Sequence, residues 1–297
     1  MSTNPPQIRS YLTYLNFAET ILTLAFQSVS ITSMSRLVYC AAFRRKSLRG
    51  NLSASLIVYL IVHIMCSTSA VPYHVYIVLN WSPGANNYSP NLLFWLGMLP
   101  NTYYFVSPIP VFFLTLDRCL ALKAPFFHNN LDKKWITVPT IATFLTVYGV
   151  CIYFFLRELP LDIEKTSMCT LFACTLLKIR AIPQQYIKLI MGCMNVLCSF
   201  HFLYALRTGT GERFKNRVVK VTMAFELCFN VFPSAFSYAF NIIFGTASGN
   251  YFGSYPVMFC TLDSACCGLY YSAIFFTKSR NIIVGSVAAK HSTTPSR

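Results

Sequence analysis

Seven long apolar runs constrain the fold of this chain more than any other feature of its sequence. They cover residues 13–42, 52–80, 92–122, 136–157, 184–206, 218–245 and 254–277. Each run exceeds the roughly 20 residues that an α-helix needs to cross about 30 Å of hydrocarbon. The strands of a membrane barrel would instead alternate apolar and polar residues over about ten positions. The runs therefore predict an all-α integral membrane protein built as a bundle of seven transmembrane helices.

The composition agrees with residence in a lipid bilayer. Of the 297 residues, 55% are hydrophobic and 11% are charged, whereas a soluble globular domain has about 25% charged residues. The polar stretches between the runs are too short to fold as separate soluble domains. We therefore expect residues 1–297 to form a single membrane domain, with residues 278–297 as a short cytoplasmic tail.

The basic residues predict the orientation of the bundle. Seventeen of the 24 Lys and Arg residues fall on one side of the predicted bundle and six on the other, with Arg36 left near the end of the first run. Basic loops stay in the cytoplasm, so the amino terminus is expected outside. The net charge of +15 is spread over short clusters between apolar runs, a pattern of membrane topology that does not indicate a nucleic-acid partner.

The third run ends in the sequence LDRCLALKAPF, residues 116–126, which includes Asp117, Arg118, Cys119 and Pro125. The simplest interpretation is an Asp-Arg pair at the interface that reaches the lipid headgroups. The sequence also resembles the D/E-R-Y/C signature of G-protein-coupled receptors, including the proline seven positions after the arginine. The resemblance implies that Asp117 holds Arg118 in the resting state and that the released Arg118 contacts the G protein.

The whole chain resembles the nematode serpentine chemoreceptors, in particular class BC, in its length near 300 residues and in TLDRCLAL followed by Pro-Phe. That resemblance implies a chemosensory receptor that detects a small odorant or pheromone-like ligand and signals to a heterotrimeric G protein. It also implies multi-pass localisation in the plasma membrane, including that of sensory cilia. The chain departs from the general receptor pattern because the sixth run lacks CWxP and the seventh lacks NPxxY.

Proline and cysteine residues give two further expectations. Pro233 lies inside the sixth run, where the missing backbone N–H predicts a helix kink. Cys169 and Cys174 lie in the loop before the fifth run, where they either pair locally or remain free thiols.

Five ionisable residues lie within the apolar runs, where each is costly unless it finds a partner or water. Glu19, Glu226 and Asp263 are the acids, and His63 and His201 are the histidines. Counting 1.5 Å per residue places His63 and Asp263 at similar depth, and Glu226 and His201 nearer the cytoplasm. We therefore expect contacts within each pair. The alternative is that each acid is protonated and hydrogen-bonded inside the bundle without a signalling role.

Helix geometry also suggests a ligand site. Pro100 and Tyr104 precede Arg118 by nearly whole numbers of turns, so they share its face about 21–27 Å away. An aromatic stripe on the sixth run consists of Phe232, Phe236 and Phe240. The stripe either lines the pocket or faces lipid and neighbouring helices. An aromatic-lined pocket with few charges would suit a small, weakly polar ligand.

Two glycosylation sequons begin at Asn80 and Asn87, in a loop that the topology places outside, although each is followed by proline.

A membrane transporter or channel is the alternative function, since intramembrane acids and histidines also build ion pathways. Against it, the sequence shows no internal repeat and no matched pair of broken helices. Neither clustered His, paired carboxylates nor a GxSxG motif is present, and the 12 Cys lack metal-ligand spacing. We therefore expect no enzymatic activity, no metal and no cofactor.

Overall fold

The computed structural model describes residues 6–44, 53–82, 88–124, 134–166, 169–179, 181–208, 213–244 and 248–291. Within these ranges, seven helical spans are long and apolar enough to cross a membrane, and no strand occurs. They are, from first to seventh, Tyr11–Phe43, Ala54–Leu79, Pro90–Lys123, Lys134–Leu156, Ile182–Tyr204, Lys220–Phe244 and Tyr255–Phe276. The predicted all-helical architecture with seven membrane-capable helices is confirmed, and each boundary lies within a residue or two of its predicted run.

Several helices extend beyond these spans or change type within them. The long α-helices are Pro6–Tyr39, Ala54–Leu79, Pro90–Val106, Pro108–Lys123, Lys134–Leu156, Ile182–Thr208, Arg213–Glu226, Phe232–Phe244 and Tyr255–His291. Shorter elements are the π-helices Cys40–Arg44 and Leu227–Val231, the 3₁₀-helix Phe172–Thr175, and the single turns Ile163–Thr166 and Gly249–Phe252. Because the last long helix continues to His291, much of the predicted tail is helical backbone.

The spans form one bundle in which the first packs along the second and seventh, and the third lies among the second, fourth and fifth. We call the end that carries the start of the first span and the loop 157–181 the amino-terminal end. The opposite end carries the end of the third span, at Lys123, and the start of the fourth, at Lys134. Separate clusters of buried hydrophobic side chains fill the bundle towards these two ends.

The third span breaks at Ser107, between its two α-helices. Pro108 has no backbone N–H, so the carbonyl of Tyr104 loses its usual helical donor. The Ser107 hydroxyl donates to that carbonyl at 3.1 Å, and the Lys188 ammonium of the fifth span donates to it at 2.8 Å. A side chain from another helix therefore satisfies a backbone group that proline leaves open inside the bundle.

The sixth span changes to a π-helix at Leu227–Val231, directly before Phe232 and Pro233. The backbone N–H of Phe232 donates to the carbonyl of Leu227, five residues earlier. A π-helical turn accommodates a local interruption of the α-helical hydrogen bonds. The distortion that the sequence predicts at Pro233 therefore takes the form of a π-helical segment on its amino-terminal side.

One face of the first span is polar and buried. Apart from the adjacent pair Glu19 and Thr20, its residues recur every three or four positions: Asn16, Glu19, Thr20, Thr23, Gln27, Ser30 and Ser33. Small and hydroxyl side chains favour close contact between helices in a membrane. Gln27 also contacts His74 of the second span, with Nε2 and Nδ1 3.3 Å apart. This face joins the first span to its two neighbours.

Glu19 has a structural role at this interface. Its carboxylate accepts a 2.6 Å hydrogen bond from the backbone N–H of Ser254, just before the seventh span begins. An acidic group at a helix start satisfies open N–H groups and complements the helix dipole. Gly253 has φ of 71°, and a Cβ there would lie 2.2 Å from the Glu19 carboxylate. Only glycine fits this close approach.

The loop at the amino-terminal end depends on another close approach. A Cβ added at Gly97 would lie 2.7 Å from the Cβ of Phe172, whereas a Cβ at Gly149 would meet no atom within 4 Å. We expect Gly97→Ala to lower the free energy of unfolding by about 1–3 kcal/mol, because the Phe172 Cβ cannot rotate away. Thermal unfolding of the detergent-solubilised protein measures the effect.

Gly149→Ala is the matched control, and its helix propensity should make it neutral or stabilising by up to about 1 kcal/mol. Equal unfolding temperatures for the Gly97 and Gly149 variants would contradict the tight contact of Phe172 with the third span.

Candidate functional site

A cavity of about 420 Å³ lies at the amino-terminal end of the bundle. Thr20 of the first span, the second, third, fifth, sixth and seventh spans, and residues of the loop segment 171–177 contribute to its wall. Its aromatic side chains are Tyr73, Tyr104, Phe105, Phe172 and Tyr238. Neutral polar side chains in the wall include Asn101, Gln185, Ser234, Ser237 and Asn241. The volume falls within the range of about 300–1,000 Å³ that is usual for small-molecule pockets.

The roof of the cavity is a short loop closed by a disulfide. Cys169 and Cys174 are joined in the structure, the first of the two alternatives that the sequence left open. The backbone N–H of Phe172 donates to the Tyr73 hydroxyl at 3.1 Å, and the Phe172 ring packs 5.1 Å from that of Phe155. The roof is thereby attached to the second and fourth spans.

Glu158 fixes the other end of this loop. It is 2% exposed, and its two carboxylate oxygens accept hydrogen bonds from the backbone N–H groups of Lys178, at 2.7 Å, and Ile179, at 2.6 Å. Charge-assisted bonds to backbone N–H groups are among the stronger hydrogen bonds in proteins. The loop is therefore held within the disulfide ring, at Phe172, and again after it, at Lys178 and Ile179.

Lys188 lies in the cavity wall, where it is the one Lys, Arg, Asp or Glu among the described lining residues. Its ammonium nitrogen lies 3.1 Å from the centroid of the Tyr104 ring and donates to the Tyr104 carbonyl. It also donates to the Asn230 side-chain oxygen at 2.9 Å. The cation is 4% exposed, and these three interactions occupy it within the protein.

Beneath Lys188, two buried carboxyl groups complete a charge cluster that we define as Lys188, Glu226 and Asp263. Glu226 and Asp263 are 2% and 1% exposed, and their carboxyl groups lie close enough to Lys188 to interact with its charge. Asn230 donates to Glu226 at 3.1 Å. A buried ammonium and buried carboxyl groups placed together lower the cost of burying one another.

The predicted contact between His201 and Glu226 is wrong. Lys188, Asn195 and Phe202 are buried and follow one another at seven-residue spacing, so they define the inward face of the fifth span. His201 is one residue, or about 100°, away from that face and is exposed. Glu226 instead interacts with residues that lie deeper in the bundle.

The predicted direct contact between His63 and Asp263 is also wrong. The His63 Nδ1 atom lies 2.9 Å from the hydroxyl of Ser264, the next residue along the seventh span, and it also contacts the Tyr103 hydroxyl. His63 and Asp263 lie at similar depth, but helix phase directs Ser264, and not Asp263, towards His63. His63 joins the second, third and seventh spans.

Of the predicted ligand-site residues, one lines the cavity and the others lie outside its wall. Tyr104 lines the cavity, and its hydroxyl lies 3.2 Å from that of Ser234, whereas Pro100 is buried outside the cavity wall. The aromatic stripe of Phe232, Phe236 and Phe240 does not line it.

The sixth span instead presents a polar stripe to the cavity, made of Ser234, Ser237, Tyr238 and Asn241. Phe232 is 67% exposed and Phe236 is 50% exposed, as expected for an apolar face that meets lipid. Phe236 and Phe240 also pack against Phe252, at ring distances of 5.9 and 5.6 Å. The aromatic stripe therefore lies outside the cavity wall, where it is partly exposed and packs against Phe252.

At the opposite end of the bundle, Asp117 and Arg118 form an ion pair of 3.5 Å, with side chains that are 6% and 12% exposed. The Ser55 hydroxyl of the second span donates to the Asp117 carboxylate at 2.6 Å. The Cys119 sulfur lies 4.0 Å from that of Cys198 on the fifth span, and both are free thiols. Pro125 lies outside the described residues.

Of the two sequon asparagines, the structure describes Asn80 alone. Asn80 follows the second span, and its side-chain amide donates to the Tyr76 carbonyl at 2.9 Å. Asn87 lies outside the described residues. Glycosylation at both positions stays a prediction.

Lys188 is a central residue of the site that the sequence patterns above do not single out. Two signals could have identified it as buried. Lys188 lies inside its own apolar run, and Pro108 leaves an intramembrane carbonyl without its usual donor. No protein-family profile and no curated protein sequence matches this chain.

The charge cluster predicts strong coupling between Lys188 and Glu226. We expect Lys188→Met and Glu226→Gln each to destabilise the protein, because each leaves buried partners unsatisfied. The double variant should recover part of the loss, with a coupling free energy of about 0.5–3 kcal/mol in a double-mutant cycle. Unfolding of the purified protein in detergent measures all four states.

Lys220→Met combined with Glu226→Gln is the control cycle, since Lys220 is an exposed residue of the sixth span. Its effects should add within about 0.5 kcal/mol. Additive effects of Lys188→Met and Glu226→Gln would contradict the cluster.

Proposed function

We propose that this chain is a chemosensory G-protein-coupled receptor of the plasma membrane, with its amino terminus and the cavity on the outer side. It detects a small odorant or pheromone-like molecule and activates a heterotrimeric G protein. The observation that carries this proposal is the placement of a small-molecule cavity and a buried Asp-Arg pair at opposite ends of one helical span. The resemblance to class BC serpentine receptors supports the same function and localisation in sensory cilia.

The cavity favours a small, weakly polar ligand. Its wall combines aromatic rings with amide and hydroxyl groups, and its one Lys, Lys188, is already occupied by protein partners. A few placed polar groups in an otherwise apolar pocket fix ligand orientation. Among the described residues of the cavity wall, a large anion or a peptide would find neither a free cation nor enough volume.

The third span supports communication between the two ends. Tyr104 lies in the cavity wall, and Arg118 follows 14 residues later, about 21 Å away along a helix. Ser107 and Pro108 interrupt the span between them. Interrupted helices concentrate conformational change at a few positions.

The Asp-Arg pair supports a switch at the inner end. Asp117 is held by both Arg118 and Ser55, so the pair joins the third span to the second. Breaking a largely buried ion pair leaves charges that must find new partners. In the proposed active state, the G protein supplies a partner for Arg118.

The alternative function is a transporter or channel. The charge cluster supports it, because buried acids and lysines also line ion and proton pathways. The two functions are separable in cells that lack heterotrimeric G proteins. A transporter would produce substrate-dependent flux or current there, whereas a receptor would produce none.

The ligand site is tested by a screen of small volatile and water-soluble compounds in cells that report G-protein activation. For an active compound, we expect Tyr104→Ala to lower potency by at least about tenfold, equivalent to about 1.4 kcal/mol of binding free energy. The cause is loss of an aromatic wall and of a partner of Lys188.

Phe232→Ala is the matched control because it removes an exposed aromatic side chain from the neighbouring stripe. Its potency should stay within about twofold of the wild type at equal surface expression. Equal potency of the Tyr104 and Phe232 variants would show that the ligand binds elsewhere.

A further inference from the structure

A second cavity, of about 280 Å³, lies between the fifth and sixth spans. We call it the lateral groove and define it by Gly192, Val196 and Leu197 on the fifth span and by Val231 and Ala235 on the sixth. Leu197 is 68% exposed, and Ala235 is also exposed, so the groove opens on the outer surface of the bundle. In a bilayer this surface meets hydrocarbon.

The lateral groove presents an almost entirely apolar surface, although its floor consists of buried polar residues. Lys188, Glu226 and Asn230 lie in that floor, where their polar atoms are directed towards one another. Hydrocarbon can therefore occupy the groove without removing exposed polar groups from solvent.

Gly192 keeps the groove open. A Cβ at this position would meet only the Val231 Cγ2 atom, at an ordinary distance of 3.8 Å. On one side of the groove, the rings of Tyr186 and Tyr238 pack 5.8 Å apart, and on the other side Phe202 and Met223 belong to one hydrophobic cluster. The two spans thus contact each other on both sides of a gap that a small residue leaves.

The lateral groove adjoins the ligand cavity. Lys188, Leu189 and Ser234 line both of them. A molecule with a polar end in the ligand cavity could therefore place an attached chain in the groove. The volume of 280 Å³ is just below the range of about 300–1,000 Å³ for complete small-molecule pockets, which suits part of a ligand.

We propose that the lateral groove binds the alkyl chain of an amphiphilic ligand that reaches the ligand cavity from the bilayer. This inference rests on the proposed receptor function and narrows its ligand class. The polar end of the ligand hydrogen-bonds to neutral groups of the cavity wall, such as Ser234. The alkyl chain passes between the fifth and sixth spans beside Gly192 and remains in contact with lipid.

The test uses the purified full-length chain in phosphatidylcholine vesicles and a decanol probe that carries a photoreactive diazirine near the end of its chain. Mass spectrometry locates the labelled residues. In the wild type, we expect labelling at the lateral groove that saturates with probe and is displaced by excess decanol. Leu145 of the fourth span, which is 61% exposed, reports non-specific labelling from the bilayer.

Gly192→Phe fills the groove and should reduce groove labelling by at least about tenfold, equivalent to about 1.4 kcal/mol of binding free energy. Gly192→Ala is the matched control and should retain labelling, because the added methyl makes only ordinary contact. Ala235→Trp blocks the groove from the opposite wall and provides a second variant if Gly192→Phe unfolds. Labelling at Leu145 should not change in any variant.

Equal groove labelling in the wild type and in folded Gly192→Phe and Ala235→Trp would overturn the proposal. Labelling that does not saturate, as at Leu145, would mean that bulk bilayer lipid fills the groove, and would also overturn it. The labelling requires no G protein. Retained, Gly192-dependent labelling without any G-protein activation would contradict the receptor function alone, whereas ligand activation that is indifferent to Gly192→Phe would contradict the groove alone.

Discussion

The hydrogen bond from Lys188 to the Tyr104 carbonyl is the interaction on which the centre of the bundle depends. Pro108 creates the need for it by removing a backbone donor within the membrane-spanning helix. A buried ammonium requires compensation, which Asn230 and the carboxyl groups of Glu226 and Asp263 provide. One proline in the third span thus accounts for a cluster that joins the third, fifth, sixth and seventh spans.

This cluster also separates two different environments. On its amino-terminal side lies the cavity of about 420 Å³, roofed by a disulfide loop that Glu158 holds in place. Towards the opposite end, Thr222 and Tyr271 join the sixth and seventh spans through their hydroxyl groups, and Ser55 holds Asp117. A ligand that disturbs Tyr104 or Ser234 acts on side chains in direct contact with the cluster or with Asn230. The helix interruptions at Ser107 and at Leu227–Val231 flank this region.

Hydrophobicity and length predicted the seven spans because crossing a bilayer imposes a minimum apolar length on every helix. Contacts between spans depend on the rotation of each helix about its axis. An apolar run fixes the length of a span but says little about which of its side chains face a neighbour. Depth alone placed His63 near Asp263, but rotation about the helix axis decided that Ser264 is its partner. The aromatic stripe beginning at Phe232 faces outward because lipid, unlike water, accepts apolar faces without cost. The burial of Lys188 could not be predicted from its local sequence alone, because a buried lysine depends on partners from other helices.

The most direct test of the receptor claim is guanine-nucleotide exchange on purified heterotrimeric G protein, driven by the chain in vesicles with an activating compound. We expect exchange with the wild type and at least about tenfold less with Arg118→Ala, although the compound still binds. Arg36→Ala is the control, because Arg36 also lies towards the opposite end but contacts the Phe276 ring, 4.6 Å away. Equal exchange for the wild type and Arg118→Ala, or compound-driven flux without exchange, would contradict the claim.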